Sequence, residues 1–92
     1  MSYKVILKPK FEADIKEHLK SGNKKLVLKV AQFLDELSKH PRSGTGKPEQ
    51  LKGNTEEIWS RRIDSKHRLL YKIYNEELIV VAISAYGHYG DK

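Results

Sequence analysis

The sequence of 92 residues contains no cysteine, and this absence removes three kinds of chemistry. A disulfide framework, a thiolate zinc site and a thiol nucleophile all need that residue. Nothing therefore argues for an oxidising compartment, and we expect a cytoplasmic protein. Metal ligands are sparse as well, because His18, His40 and His67 lack metal-ligand spacing and no acidic cluster invites a divalent ion. The sequence predicts no metal site and no cofactor.

Long apolar runs are also missing. Three lysines interrupt the apolar stretch at the N-terminus, and the longest later run, residues 78–85, is far shorter than the ~20 residues that span a bilayer. We expect a soluble protein with no export signal and no membrane partner.

Acidic residues are outnumbered, since the 12 aspartates and glutamates stand against 18 lysines and arginines. The resulting net charge of +6 favours a polyanionic partner, either a nucleic acid or an acidic protein. Charge alone does not choose between the two. The length fits a single domain over residues 1–92 with one modest core.

The first half of the sequence has the pattern of one strand followed by two helices. Residues 3–7 alternate as a strand does, and Pro9 ends that strand and begins a short helix that stops near residue 21. Asn23 is a plausible N-cap for a second, longer helix, which His40 and Pro41 close. The apolar stripe of this second helix consists of Leu26, Val27, Val30, Phe33, Leu34 and Leu37.

The second half is rich in strand-forming residues. Three runs, 57–63, 67–74 and 78–85, are joined by two short polar turns, which predicts an antiparallel meander. The third run is apolar at both parities and therefore predicts a central strand. We assign Trp59 to the core, packed against the second helix, in preference to stacking on RNA. Because helices and strands are segregated along the chain, the predicted class is α+β, with two N-terminal helices packed on a small antiparallel sheet.

Four short motifs in the second half occur in a fixed order. They are GKPEQLK at 46–52, WSRRI at 59–63, HRLLY at 67–71 and HY at 88–89. Together they resemble the YoeB branch of the RelE/ParE toxin superfamily, the toxins of bacterial type II toxin–antitoxin pairs. The resemblance covers nearly the whole chain in element order. It implies a RelE-like fold, in agreement with the pattern of helices and strands, and ribosome-dependent endonucleolytic cleavage of mRNA in the decoding site.

The resemblance also implies roles for individual residues. Glu49, Arg68, His88 and Tyr89 fall on the positions that the family uses for catalysis. The chain departs from some relatives beside this site, because Gly87 stands where they carry an aromatic residue and three further residues follow the tyrosine.

Three further basic residues are candidates for substrate binding. The resemblance implies that Lys52 and Arg62 handle phosphate. Arg61 is the third candidate, although strand alternation places Arg61 and Arg62 on opposite faces, so that at most one of them shares the face of Arg68.

The residues themselves supply the groups needed to cleave RNA by attack of its own 2′-hydroxyl. Attack by a 2′-hydroxyl on the adjacent phosphorus needs a base, cations for the transition state and an acid for the leaving oxygen. Glu49 can serve as the base, Arg62 and Arg68 as fixed cations with planar donor forks, and His88 as the acid. Tyr89 can stack on a base or donate a hydrogen bond to phosphate.

Partners follow from charge and from the resemblance. An acidic, partly apolar YefM-like antitoxin is expected to fold onto the basic face, and the ribosome with its mRNA in the decoding site is the second partner. A homodimer is a further assembly to be considered.

Other readings stay open at this stage. Glu49 in a turn is ordinarily a solvated residue, and arginines on a sheet are ordinarily solvated or ion-paired. A toxin of the same fold that binds DNA gyrase, as in the ParE branch, is one alternative, although that branch lacks the counterparts of Glu49 and His88. A basic RNA- or DNA-binding module without catalysis is the other.

Overall fold

The computed structural model describes residues 2–53 and 55–87, and in it two helices pack against a five-stranded sheet. The elements in chain order are β1 (Lys4–Leu7), α1 (Pro9–Lys20), α2 (Lys24–Lys39), β2 (Glu49–Gln50), β3 (Ile58–Arg62), β4 (Arg68–Tyr74) and β5 (Ile79–Ser84). The strand order across the sheet is β1-β5-β4-β3-β2. The α+β class and the element order predicted from the sequence are confirmed.

Both helices begin as their sequences predict. Pro9 occupies the first turn of α1, where its missing N–H is no loss. The side chain of Asn23 caps α2 by accepting a hydrogen bond from the backbone N–H of Leu26 at 3.3 Å. No helix within the described part of the chain is long and apolar enough to cross a membrane.

The sheet is mixed, which corrects one detail of the prediction. Strands β2 to β5 pair antiparallel, as expected of a meander, but β1 pairs parallel to β5, with Val5 opposite Val80. A period-two pattern indicates a strand without giving its direction, and the long connection through both helices allows the parallel pairing. Strand β5 lies between β1 and β4, and this confirms the central position predicted from its apolar sequence.

The core lies between the helices and one face of the sheet. Trp59 is partly buried and packs against this core, which confirms its assignment to the core, while its packing against α2 stays a prediction. The buried members of the cluster are Phe11, Leu26, Val30, Phe33, Leu37, Ile63, Leu69, Tyr71, Ile73, Val80, Ala82 and Ala85.

Candidate active site

A cleft on the sheet face opposite the helices collects several of the predicted site residues. Its volume is about 360 Å³, and its lining consists of Lys47, Pro48, Glu49, Arg62 and Arg68. Sheet register explains this grouping, because directly paired residues point to the same face. Glu49 of β2 pairs with Ser60 of β3, and Arg62 of β3 pairs with Arg68 of β4.

The pairing of Arg62 with Arg68 does not stabilise the sheet. Like charges directly opposite each other destabilise the pairing. Glu49 offsets this repulsion only weakly, since its carboxylate lies 4.0 Å from Arg68 Nη1 and its side chain is 69% exposed. Arg68 also donates to the hydroxyl of Ser60 at 3.3 Å. The cleft therefore presents excess positive charge beside one accessible carboxylate, an arrangement suited to a phosphodiester.

The loop before β2 aims Lys47, Pro48 and Glu49 at this cleft. Gly46 has a φ of +80° and Lys47 a φ of +49°, so the chain turns through two consecutive left-handed residues. The carbonyl of Gly46 accepts a hydrogen bond from the N–H of Arg62 at 2.7 Å. A side chain at Gly46 would place its Cβ only 2.6 Å from the ring of Phe33, so only glycine fits between this loop and α2.

Arg61 lies on the opposite face from the cleft, and its prediction as a substrate-binding residue is corrected. Its side chain is 0% exposed. The guanidinium donates to the carbonyls of His40, Ser43 and Thr45 at 3.1, 2.7 and 3.2 Å. Strand alternation correctly placed Arg61 and Arg62 on opposite faces. The sequence did not indicate that Arg61 is buried, because its burial depends on three loop carbonyls that accept its hydrogen bonds.

Two side chains complete what we call the Arg61 network. Glu36 of α2 accepts from Arg61 Nη1 at 2.5 Å, and the Tyr71 hydroxyl accepts from Arg61 Nε at 3.2 Å. Tyr71 then donates to the carbonyl of Pro41 at 2.7 Å. The network thus ties residues 40–45 to α2, β3 and β4, and it fixes the loop whose continuation carries Glu49.

Ionisable groups in and beside this network have displaced pKa values. Burial acts to raise the pKa of Glu36, but hydrogen bonds from Thr45 and Arg61 outweigh it and hold the pKa below its usual range. Two hydrogen bonds from Arg42 lower the pKa of Glu57 against the opposing effect of burial. Burial raises the pKa of the Tyr71 phenol. Both carboxylates are therefore favoured in their charged form by the folded state.

Acid is expected to destabilise the fold through these two carboxylates. Because their folded pKa values lie below the unfolded ones, their contribution is complete above about pH 4.3 and is lost as the pH falls through the folded values. Urea midpoints measured from pH 7 to pH 2.5 should fall in that lower window. Glu36→Gln should flatten the fall, whereas Glu76→Gln, in an exposed turn, should leave it unchanged. Parallel pH profiles for wild type and Glu36→Gln would contradict this account.

The remaining predicted site residues lie at the margins of the cleft or beyond the described chain. Lys52 is exposed in the turn after β2 and is not part of the cleft lining. His88 and Tyr89 lie outside the described residues. The chain reaches them from Gly87, whose carbonyl accepts a hydrogen bond from the N–H of Arg68 at 3.0 Å. The roles of Lys52, His88 and Tyr89 stay predictions.

Lys47 is the lining residue that the sequence analysis missed. It stands between Gly46 and Pro48, and this setting is a turn signal rather than a signal for binding. Its approach to Arg62 and Arg68 depends on contacts across the sheet, which a local pattern does not reveal.

The chain matches known proteins over most of its length. A family model for the YoeB-like toxin of bacterial type II toxin–antitoxin systems matches residues 9–89, the span that contains every lining residue. The toxin YoeB of Streptomyces coelicolor is 38% identical over 64 residues, which cover 70% of this chain and 76% of that toxin.

Solved structures agree with the sequence matches. A YoeB/ParE toxin from Agrobacterium tumefaciens superimposes with a TM-score of 0.84 at 28% identity, covering 94% of this chain and 99% of the other. A YoeB dimer from Staphylococcus aureus gives a TM-score of 0.80 at 30% identity, covering 97% of this chain and 100% of the other. A YoeB–YefM complex from S. aureus gives a TM-score of 0.76 at 31% identity, again covering 97% of this chain and 100% of the other. The chain belongs to the family of YoeB-like toxins of bacterial type II toxin–antitoxin systems.

Proposed function

We propose that the protein is a ribosome-dependent mRNA endoribonuclease that works without a metal ion. The observation that carries the proposal is the grouping of one accessible carboxylate, Glu49, with two directly opposed arginines, Arg62 and Arg68, in a single open cleft. A phosphodiester in this cleft would meet fixed cations at its non-bridging oxygens and a proton acceptor beside its ribose. Membership in the toxin family and the net charge of +6 both support RNA as the target.

The reaction follows from these groups. Glu49 accepts the proton of the ribose 2′-hydroxyl as its oxygen attacks the adjacent phosphorus, and the bond from phosphorus to the 5′-oxygen breaks. Arg62 and Arg68 stabilise the charge that grows on the non-bridging oxygens. His88 donates a proton to the departing 5′-oxygen. The products are a 2′,3′-cyclic phosphate and a 5′-hydroxyl.

Two further residues assist in this scheme. Lys52 neutralises a neighbouring phosphate of the bound strand, and Tyr89 stacks on a base or donates a hydrogen bond to phosphate. Neither residue moves the proton of the attacking hydroxyl.

The openness of the cleft supports dependence on the ribosome. A carboxylate that is 69% exposed is well solvated, so water competes with the ribose hydroxyl for its hydrogen bonds. A partner that excludes water and holds the 2′-oxygen in line with the scissile bond would supply what the free protein lacks, because orientation contributes several kcal/mol to such a reaction. Free RNA is then a poor substrate.

The expected inhibitor is an acidic, partly apolar antitoxin like YefM. From S. aureus, a YoeB–YefM complex and a YoeB dimer have both been solved. We extend both assemblies to this protein, with the antitoxin segment drawn to the basic face by charge.

Mapping of 5′ ends by primer extension tests the proposed function. Purified protein is added to a bacterial translation extract with a defined mRNA, and the same mRNA without ribosomes is the control. Cuts that appear only on translated message, in codon register, are the expected result. Intact message in an extract whose translation has nevertheless stopped would overturn the nuclease proposal. In that case, supercoiling assays with DNA gyrase would follow.

A further inference from the structure

The three residues after β5 are held mainly by side chains, together with one backbone hydrogen bond to the first residue of β4. Strand β5 ends at Ser84, and both backbone polar groups of Ala85 are then bound by α1. Asp14 accepts from the N–H of Ala85 at 2.9 Å, and His18 Nε2 donates to its carbonyl at 2.9 Å. Ala85 itself is fully buried.

Asp14 and His18 are unusual residues for the inner face of a helix. They lie one turn apart and are only 6% and 2% exposed. Burial of a carboxylate and an imidazole is unfavourable unless each finds partners. Here the partners are the backbone of Ala85 and, for Asp14, the ammonium of Lys10 at 2.5 Å. Neither side chain reaches the cleft, so these two residues serve the path of the chain.

His67, the residue before β4, continues the same arrangement. Its Nδ1 accepts a hydrogen bond from the N–H of Gly87 at 2.9 Å, while the carbonyl of Gly87 accepts from the N–H of Arg68 at 3.0 Å. The ring of Tyr86 packs against both imidazoles, with centroids 4.9 Å from His18 and 4.7 Å from His67. Residues 85–87 are thereby led across the start of β4 to the backbone of Arg68.

We infer that Asp14, His18 and His67 form a clamp that holds residues 85–87 against the backbone of Arg68. The three are positioning residues, because they touch residues 85–87 and not the substrate. The catalytic consequence of the clamp rests on the proposed function, in which the residue after Gly87 is the general acid. A clamp that slackens would leave Glu49, Arg62 and Arg68 in place while the proton donor loses its alignment.

His67 offers the cleanest test, because it is only partly buried and its bond has a chemical mimic. Acceptance at Nδ1 requires that this nitrogen carry no proton. The amide oxygen of asparagine stands close to the position of Nδ1 and also accepts, so His67→Asn should preserve the bond to Gly87. His67→Ala removes the acceptor. Lys66→Ala, at the adjacent exposed position, is the matched control.

Amide hydrogen exchange in the free protein, followed by NMR, tests the clamp without reference to catalysis. In His67→Ala the amide of Gly87 should exchange about tenfold faster than in wild type, since it loses one hydrogen bond. His67→Asn should restore slow exchange, and Lys66→Ala should leave it unchanged. Amides of Val80 and Ala82, in the core strand, should stay protected in all variants. Unchanged exchange at Gly87 in His67→Ala would overturn the clamp.

Single-turnover cleavage on ribosomes tests the catalytic consequence. His67→Ala should reduce the maximal rate by about 10- to 100-fold, with the ribosome concentration for half-maximal rate unchanged, and His67→Asn should recover most of it. Faster exchange with an unaltered rate would overturn the positioning role. A wild-type protein that cuts nothing would refute the proposed function instead, and the exchange experiment would still decide whether the clamp exists.

Discussion

Replacement of Glu49 by glutamine is expected to lower the single-turnover rate of mRNA cleavage on ribosomes by about 10²- to 10⁴-fold. Glutamine keeps the size and the hydrogen-bonding reach of the side chain but no longer accepts a proton. Stability should scarcely change, because Glu49 is largely exposed and its pairing with Arg68 at 4.0 Å is weak. Cleavage rates at saturating ribosome concentration, together with urea denaturation, measure both quantities.

The control for this substitution is Glu76→Gln, which makes the same chemical change in the exposed turn between β4 and β5. It should match wild type in rate and in stability. A Glu49→Gln protein that cuts within a factor of three of wild type would remove Glu49 as the base. The grouping of charges in the cleft would then describe binding alone.

Arg61→Met and Arg62→Met are expected to have opposite effects, although the two residues are neighbours. Loss of Arg61 removes the cationic partner of Glu36 and the donor to three loop carbonyls, and it should lower the free energy of unfolding by about 3 to 5 kcal/mol. Loss of the exposed Arg62 should change it by no more than about 0.5 kcal/mol and should slow cleavage about a hundredfold. Urea denaturation and single-turnover cleavage distinguish the two cases.

Each arginine variant is the matched control for the other, and a third variant separates charge from packing. Arg61→Met with Glu36→Gln removes both charges of the buried pair, so it should be more stable than Arg61→Met alone. Equal stability of Arg61→Met and wild type would show that the Arg61 network does not hold the loop. A stable Arg62→Met protein with full activity would exclude Arg62 from the site.

The contrast between these two arginines shows which structural features can be predicted from the sequence and which cannot. Alternation along β3 correctly separates Arg61 from Arg62, since side-chain direction in a strand is a local property. Which of the two faces is buried depends on the turns at residues 40–46, and those turns are set by contacts with Phe33, Glu36 and Tyr71. Such contacts join segments distant in sequence, so no local pattern predicted the burial of Arg61.

Other features that were not predicted also depend on contacts between distant segments. The helix stripe and the central strand were predictable because burial on one face or on both leaves a periodic record. The parallel pairing of β1 was not predictable, because the direction of a strand produces no periodic pattern in the sequence. The contacts of Asp14, His18 and His67 with residues 85–87 gave no signal either, since the partners there are backbone groups that are identical at every position of the chain.

The shortness of β2 has a consequence for how activity is lost on heating. Glu49 lies in a strand of two residues at the margin of the sheet, while Arg62 and Arg68 lie in longer inner strands. Short marginal pairings open far below the free energy of global unfolding. The carboxylate can therefore leave the arginines through a brief local opening while the hydrophobic core stays intact. Warming should therefore abolish the proposed cleavage activity reversibly, at temperatures where the circular dichroism spectrum still reports a folded protein.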